Sequence, residues 1–413
     1  MFELIRANKR KSAVLIVVMS AVLVVLGFAV GAAWIGGRAG GVFGAVVAAI
    51  VAVVLSLIAY YKGDKAMLAV SRARQIEKKD NPQLFNVVEE MAIASGQPMP
   101  KVYIIDDTAL NAFATGRKPE NAAVAITSGL LAKLNRDELQ GVIAHEMSHV
   151  KNRDILFMTL AGVLMGSIVL VADIYLRSLW FTGGRRRRRS SREGGGAQAI
   201  FAILAILLAI LAPLVARLLY LACSRRREYL ADASAAVMTR YPEGLASALE
   251  KISGDREVLE SANRATAPMY IVHPIKAFEK RAAKLSSTHP PTEERIAILR
   301  SLGKSASFAD YERAYEARHR GERMVPRSAL ADDQPVATRP PSEEPTPQQS
   351  PADRLRRAHD ALDTVRRVQG FLFLTCACGA RLKIPPGFSR PQLRCPRCGT
   401  AHKTADAKPA EEG

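Results

Sequence analysis

His145-Glu-Met-Ser-His149 is the segment of this sequence best able to do chemistry. On a helix, residues four apart lie about 400° round the axis, so the two imidazoles share a face and can grip one metal ion. Neutral imidazoles suit zinc, and a catalytic zinc keeps one position open for water. Glu146, next to His145, cannot be a third ligand from that face. It stands beside the open position, where a carboxylate can take a proton from the water and later pass it to a leaving amine. A surface helix that happens to carry two His and a Glu would read the same over five residues. The neighbouring sequence favours the metal, because Leu139-Gln-Gly-Val-Ile-Ala144 makes one side of the helix apolar enough to bury. Further on, Glu228-Tyr-Leu-Ala-Asp232 puts a carboxylate at each end of one helical turn. Glu228 can supply a third ligand, and Asp232 can accept a hydrogen bond from a ligating imidazole and fix its orientation.

A second set of ligands lies in Cys376-Ala-Cys378-Gly and Cys395-Pro-Arg-Cys398-Gly. Four thiolates in two knuckles suit a closed tetrahedral zinc that folds a very small domain. The first knuckle has one intervening residue, a departure from the common ribbon spacing. Two disulfides or a redox pair are the rival readings, but four of the five cysteines crowd together, which points to metal in a reducing compartment.

The elements that must position these groups begin with four apolar blocks, Ala13 to Val30, Val42 to Tyr60, Ile155 to Leu176 and Ala199 to Leu221. Each can span a ~30 Å hydrocarbon layer as a helix. The first follows Arg6, Lys9, Arg10 and Lys11. A signal peptide is the alternative there, but the apolar core is long for one and a second block follows after a Gly-rich turn, so residues 1–61 are expected to form an uncleaved hairpin. The last two blocks contain Asp173, Pro213 and Arg217; Arg217 could snorkel to an interface and Pro213 would kink its helix. Between the second and third blocks, Pro82 to Ser95 reads as a helix, Lys101 to Asp106 and Ala122 to Thr127 as strands, and Arg136 to Val150 as a helix capped by Asn135. Beyond the fourth block, helical sequence runs from Ser224 to about Ile252. Residues 303–370 read as helical and then Pro-rich, with Met324 to Asp353 having the composition of an unfolded tether, and 371–403 as the Cys-rich module.

The expected class is therefore α+β, mainly helical, with up to four transmembrane helices and a small zinc ribbon. The 413 residues carry a net charge of +19 and are 49% hydrophobic, which excludes a disordered chain. The mean hydropathy of +0.04 averages apolar blocks with basic stretches, as in a membrane protein with soluble parts.

His145-Glu-Met-Ser-His-Val-Lys-Asn-Arg-Asp154, Ser224-Arg-Arg-Arg-Glu-Tyr-Leu-Ala-Asp232 and Thr288-His-Pro-Pro291 follow one another as the three signatures of the M48 zinc metallopeptidases do. The sequence resembles that family over about residues 1 to 302, its bacterial heat-shock protease branch most of all. The resemblance implies a gluzincin-type peptidase domain over 62–302, with His145, His149 and Glu228 as zinc ligands, Glu146 as general base and Asp232 behind a ligand. It also implies that Asn111, Ala112 and Phe113 lie along the cleft and pair with an extended substrate as an added strand. An ordinary loop between two strands is the plainer reading of those three residues. His289 would either donate a hydrogen bond to the oxyanion or cap the helix that starts at Thr292. Asp154 falls on a family position without an assigned role.

The function so implied is zinc-dependent hydrolysis of peptide bonds in misfolded or membrane-associated proteins, in quality control, with one catalytic zinc; the Cys-rich module, outside the family pattern, adds an expected structural zinc. A non-catalytic membrane adaptor is the rival, against which the intact ligands and Glu146 count. Basic residues flank the first two blocks on one side, Lys62, Lys65, Arg72 and Arg74 after the second, while Arg38 alone lies between them. By the positive-inside rule the chemistry is cytoplasmic, at the cell's inner membrane. The run Arg185 to Arg189 disagrees with a simple four-span topology, and it reads as a solvated loop near anionic lipid. Lacking interleaved aromatics, it gives no reason to expect nucleic acid.

Overall fold

The computed structural model describes residues 2–182, 195–255, 290–303, 305–325, 330, 333–342 and 351–407. His289 and the run Arg185 to Arg189 lie outside the described residues. In chain order, α1 (Phe2–Gly31), a π-helical turn (Ala32–Gly36) and α2 (Gly37–Val70) lead into β1 (Arg74–Gln75), α3 (Pro82–Ser95), β2 (Lys101–Ile105), β3 (Ala112–Thr115) and β4 (Ala123–Thr127). Then come α4 (Ser128–Lys133), α5 (Arg136–Asn152), α6 (Asp154–Thr182), α7 (Gly195–Thr239), α8 (Pro242–Gly254) and α9 (Thr292–Ser301). The C-terminal part holds β5 (Ser305–Ala306), α10 (Phe308–Arg318), β6 (Val336–Ala337), α11 (Pro351–Val368), β7 (Leu372–Thr375), β8 (Arg381–Ile384), β9 (Gln392–Arg394) and β10 (Ala401–Lys403). The chain is mainly helical.

Helices α1, α2, α6 and α7 form an apolar bundle. Leu23, Leu26, Ala161, Leu164, Ala205, Ala209, Ala212 and Ala216 fill its interior. Outside, Val17, Ile50, Val53, Leu170, Ile203, Leu207 and Ile210 are exposed, the pattern of a surface made for lipid. Helices long and apolar enough to cross a membrane cover Ala13–Val70, Asp154–Leu179 and Ala199–Thr239. The first of these, 58 residues, reverses midway. Gly36 and Gly37 take φ of 105° and 60°, which only glycine adopts without cost, and the two arms fold together. A Cβ on Gly31 would lie 2.3 Å from the Gly40 carbonyl oxygen, and one on Gly44 2.2 Å from that of Gly27, so the arms pack backbone to backbone.

The layer beside the bundle is a four-stranded sheet, ordered β1-β2-β4-β3, with α5 packed on β3 and α3 and α8 packed against α5. Strands β2 and β4 run parallel, and β3 is an antiparallel edge. Ile104, Val124, Ile126, Leu130, Val142 and Ile143 are all buried in one core, each contributing about 1.5–3 kcal/mol by leaving water. Helix α2 runs on out of the bundle, and its Met67 packs against Ile105, Phe113 and Ala125 of the sheet.

Helix α5 begins in a capping box: Asn135 accepts from the Glu138 N–H at 2.8 Å, and Glu138 accepts from the Asn135 N–H at 2.8 Å. It ends at Arg153, whose φ of 56° stops the helix before α6 begins. The tether expected over Met324 to Asp353 is corrected in part. Strand β6 pairs with β5, and Arg339 bonds Asp137 and Gln140 on α5 at 2.7 and 2.8 Å. Composition misled because one well-placed guanidinium holds a segment that has few apolar groups to bury.

Helix α11 is also docked: Asn81 donates to Thr364 at 3.1 Å, and Arg367 donates to the Asp80 carbonyl at 2.7 Å. Its Asp363 meets Lys383 of β8 at 2.6 Å and Arg381 at 3.6 Å, fastening the Cys-rich module to the helix.

Candidate metal centre

Helix α5 presents His145 and His149 one turn apart, and α7 brings Glu228 to them. His145 Nε2 and His149 Nε2 are 3.3 Å apart. The Glu228 carboxylate lies 3.3 Å from His149 Nε2 and 3.7 Å from His145 Nε2. His145 and Glu228 are buried, and His149 is slightly exposed. The other nitrogen of each ring faces a carboxylate. His145 Nδ1 is 2.9 Å from Asp232, and His149 Nδ1 is 3.4 Å from Asp154. Each carboxylate is backed by a guanidinium. Arg295 of α9 grips Asp232 with two bonds of 2.8 and 2.7 Å, and Arg227 of α7 lies 3.1 Å from Asp154.

This donor set fits zinc. With protons on Nδ1, the two Nε2 lone pairs face each other and a carboxylate, an arrangement that repels itself without a cation between. Tetrahedral ligands with bonds of about 2.0–2.2 Å stand about 3.3–3.6 Å apart, close to the separations here. The charges agree: four buried carboxylates, Glu146, Asp154, Glu228 and Asp232, face two buried guanidiniums, Arg227 and Arg295, among the described residues. Burial opposes a charged His149, yet Asp154 and Glu228 outweigh it and push the imidazole up to about 10. Burial pushes His145 below the usual imidazole range.

Glu146 points to the edge strand, where its Oε2 accepts the Ala114 N–H at 2.7 Å. Burial pushes its carboxyl up to about 8, so near neutrality it can hold and release a proton. Of the three residues expected along the cleft, Ala112 and Phe113 belong to β3, and Asn111 precedes it. The Asn111 side chain accepts the Ala112 N–H at 3.0 Å. A strand therefore stands where a loop was the plainer reading.

The structure thus brings His145, Glu146, His149, Glu228 and Asp232 together, with β3 beside them. Arg295 and Ala114 were missed by sequence reasoning. Arg295 sits in Thr-Glu-Glu-Arg at a helix start, where an arginine ordinarily reads as solvated, yet its exposure is 0%. Ala114 acts through its backbone and leaves no signal in its side chain.

The Cys-rich module offers a second cluster. Cys376 Sγ is 3.4 Å from Cys398 Sγ, and Cys378 Sγ is 3.7 Å from Cys395 Sγ. Disulfide sulfurs would lie about 2.05 Å apart, whereas four thiolates on one zinc stand about 3.8 Å apart. All four cysteines converge on one point, so their donor chemistry fits a closed site.

Residues 78–302 match the profile of Peptidase family M48. The chain is 45% identical over 311 residues to a Protease HtpX homolog of Dictyoglomus thermophilum, across 75% of this chain and 98% of that one. It is 44% identical over 302 residues to a Protease HtpX homolog of Caldanaerobacter subterraneus subsp. tengcongensis, across 73% and 98%. A Protease HtpX homolog of Lactobacillus acidophilus is 40% identical over 308 residues, across 73% and 100%. The crystal structure of S. mikatae Ste24p superposes with a TM-score of 0.39 at 20% identity over 60% of this chain and 56% of that one, too loosely to define a common fold.

Proposed function

The chain belongs to peptidase family M48, and from that premise we propose how this membrane zinc metalloprotease uses its residues and where it works. His145, His149 and Glu228 hold the catalytic zinc, and the four cysteines hold a structural one. The observation that carries the reading is the convergence of two carboxylate-backed imidazoles and Glu228 beside a buried Glu146. Bound zinc supplies Lewis acidity toward the scissile carbonyl and toward the attacking water. Glu146 takes the proton from that water and delivers it to the leaving amine. The Ala114 N–H holds the Glu146 carboxylate in place at 2.7 Å while it does so. Asp232 keeps the His145 proton on Nδ1, leaving Nε2 to the metal. Strand β3, from Ala112, offers an edge on which an extended substrate can lie, with Asn111 at its start. His289 is assigned to the oxyanion on the family motif alone.

Substrates on this reading are unfolded or membrane-associated proteins, cut at the cytoplasmic face of the inner membrane in quality control. The four apolar arms each cross the bilayer. Support comes from the three segments long and apolar enough to cross, the first of which reverses at Gly36 and Gly37 into two arms. Cysteine labelling from outside the cell at residues placed between Arg185 and Arg189 tests the four-crossing topology, and their modification there supports it. The decisive experiment for the chemistry is Glu146→Gln in purified protein. It should keep zinc at the parental level and lose proteolysis; retained cleavage would overturn the role of Glu146.

A further inference from the structure

Each imidazole of the site is backed by its own carboxylate and guanidinium, but the two sets have different anchors. Behind His145 stand Asp232 of α7 and Arg295 of α9, both fully buried. Behind His149 stand Asp154 and Arg227, both at the foot of the apolar bundle. Asp154 is the first residue of α6, just past the break at Arg153. Arg227 precedes the ligand Glu228 on α7. The Arg227 guanidinium meets the Asp154 carboxylate at 3.1 Å, donates to the Asp154 backbone carbonyl at 3.4 Å, and stacks on the Phe157 ring of α6 at 3.8 Å. Exposures of 1% for Asp154, 4% for Arg227 and 3% for Phe157 show a pair sealed from water. A buried ion pair of this kind costs desolvation of both ions, which makes it poor as a pure stabiliser. It is better suited to fixing direction.

We propose that Asp154 and Arg227 are positioning residues that aim His149 at the metal, joining that ligand to the crossing of α6 and α7. The Asp154 carboxylate receives the Nδ1 proton of His149, which leaves Nε2 as the donor and stops the ring from turning about its χ2 bond. Arg227 in turn fixes Asp154, since one guanidinium holds both its carboxylate and its backbone carbonyl. Phe157 closes the far face of that guanidinium. A lysine at 227 would keep the charge but lose the planar fork and the stacking. The inference rests on the reading of His149 as a ligand.

The test is the affinity of the histidine site for zinc, measured on the full-length protein in detergent carrying Cys395→Ser so that the Cys-rich module contributes no equivalent, stripped with chelator and titrated against a competing chromogenic chelator. Asp154→Asn should raise the zinc Kd by about 10- to 100-fold. Arg227→Lys should raise it in the same direction by less. The double variant should bind no more weakly than Asp154→Asn alone, within about twofold, because the two act through one imidazole. Circular dichroism of each metal-free variant reports whether it is folded. If Asp154→Asn does not fold, Arg227→Lys decides by itself. A folded variant with parental zinc affinity, beside a His149→Ala control that has lost it, overturns the positioning role. Parental affinity in His149→Ala overturns the ligand reading instead.

Discussion

Arg295 shows how much one side chain can carry here. Its guanidinium bonds both oxygens of Asp232, stands 3.4 Å from Glu228, and is wholly buried. Removing its charge with Arg295→Met strands Asp232 in the interior, and the expected loss is about 3–5 kcal/mol, read by thermal or denaturant unfolding of the metal-free protein. Arg295→Lys should lose less but should not restore the parent, since an ammonium cannot make the bidentate contact. The proposed ligands were legible from sequence because metal chemistry restricts residue type and helical spacing together. The supporting arginines were not, because arginine is common on surfaces and its burial is decided by distant acids that only the fold brings near. The same holds for Tyr311, whose hydroxyl lies 3.5 Å from Asp232 although α10 begins beyond the profile match.

At the scale of elements, local chemistry marked boundaries well. Pro82 and the left-handed Gly96 bracket α3, and the Asn135–Glu138 box opens α5. Asn135→Ala should cost about 1 kcal/mol in unfolding free energy by freeing an N–H of the first turn. The hairpin of α1 and α2 was expected from its apolar blocks, yet its closeness was not, since glycines in apolar runs do not reveal which partner they touch. Gly44→Leu should force the arms apart. A loss of about 1–3 kcal/mol or more is expected, visible as a lowered melting temperature in detergent. Strand β3 was hard to read because four residues, Ala-Phe-Ala-Thr, are too few for a period and are buried on both faces.

For the molecule as a whole, the C-terminal quarter is a strap and a docked module rather than a trailing tail. Arg339 ties the strap to Asp137, and Asp363 ties the module to α11. Arg339→Ala leaves Asp137 short of its partner and should cost about 1–3 kcal/mol, with faster cleavage near Val336 by a protease of broad specificity such as subtilisin as the readout. On the proposed reading of a structural zinc in the module, Cys395→Ser should lower bound zinc by one equivalent while peptidase activity survives, read by metal analysis beside a cleavage assay. Helix α7 adds a mechanical consequence. It is 45 residues long, with Pro213 in its apolar stretch and Glu228 fifteen residues further on. That distance is about 22 Å at 1.5 Å per residue, so a hinge of about 5° at the proline would swing the carboxylate by about 2 Å. The swing equals a whole metal–ligand bond. A bilayer that changed the tilt of this one helix would have a lever arm on the hydrolytic site, so cleavage rates are expected to differ between bilayers of different acyl-chain length, which a reconstituted assay checks.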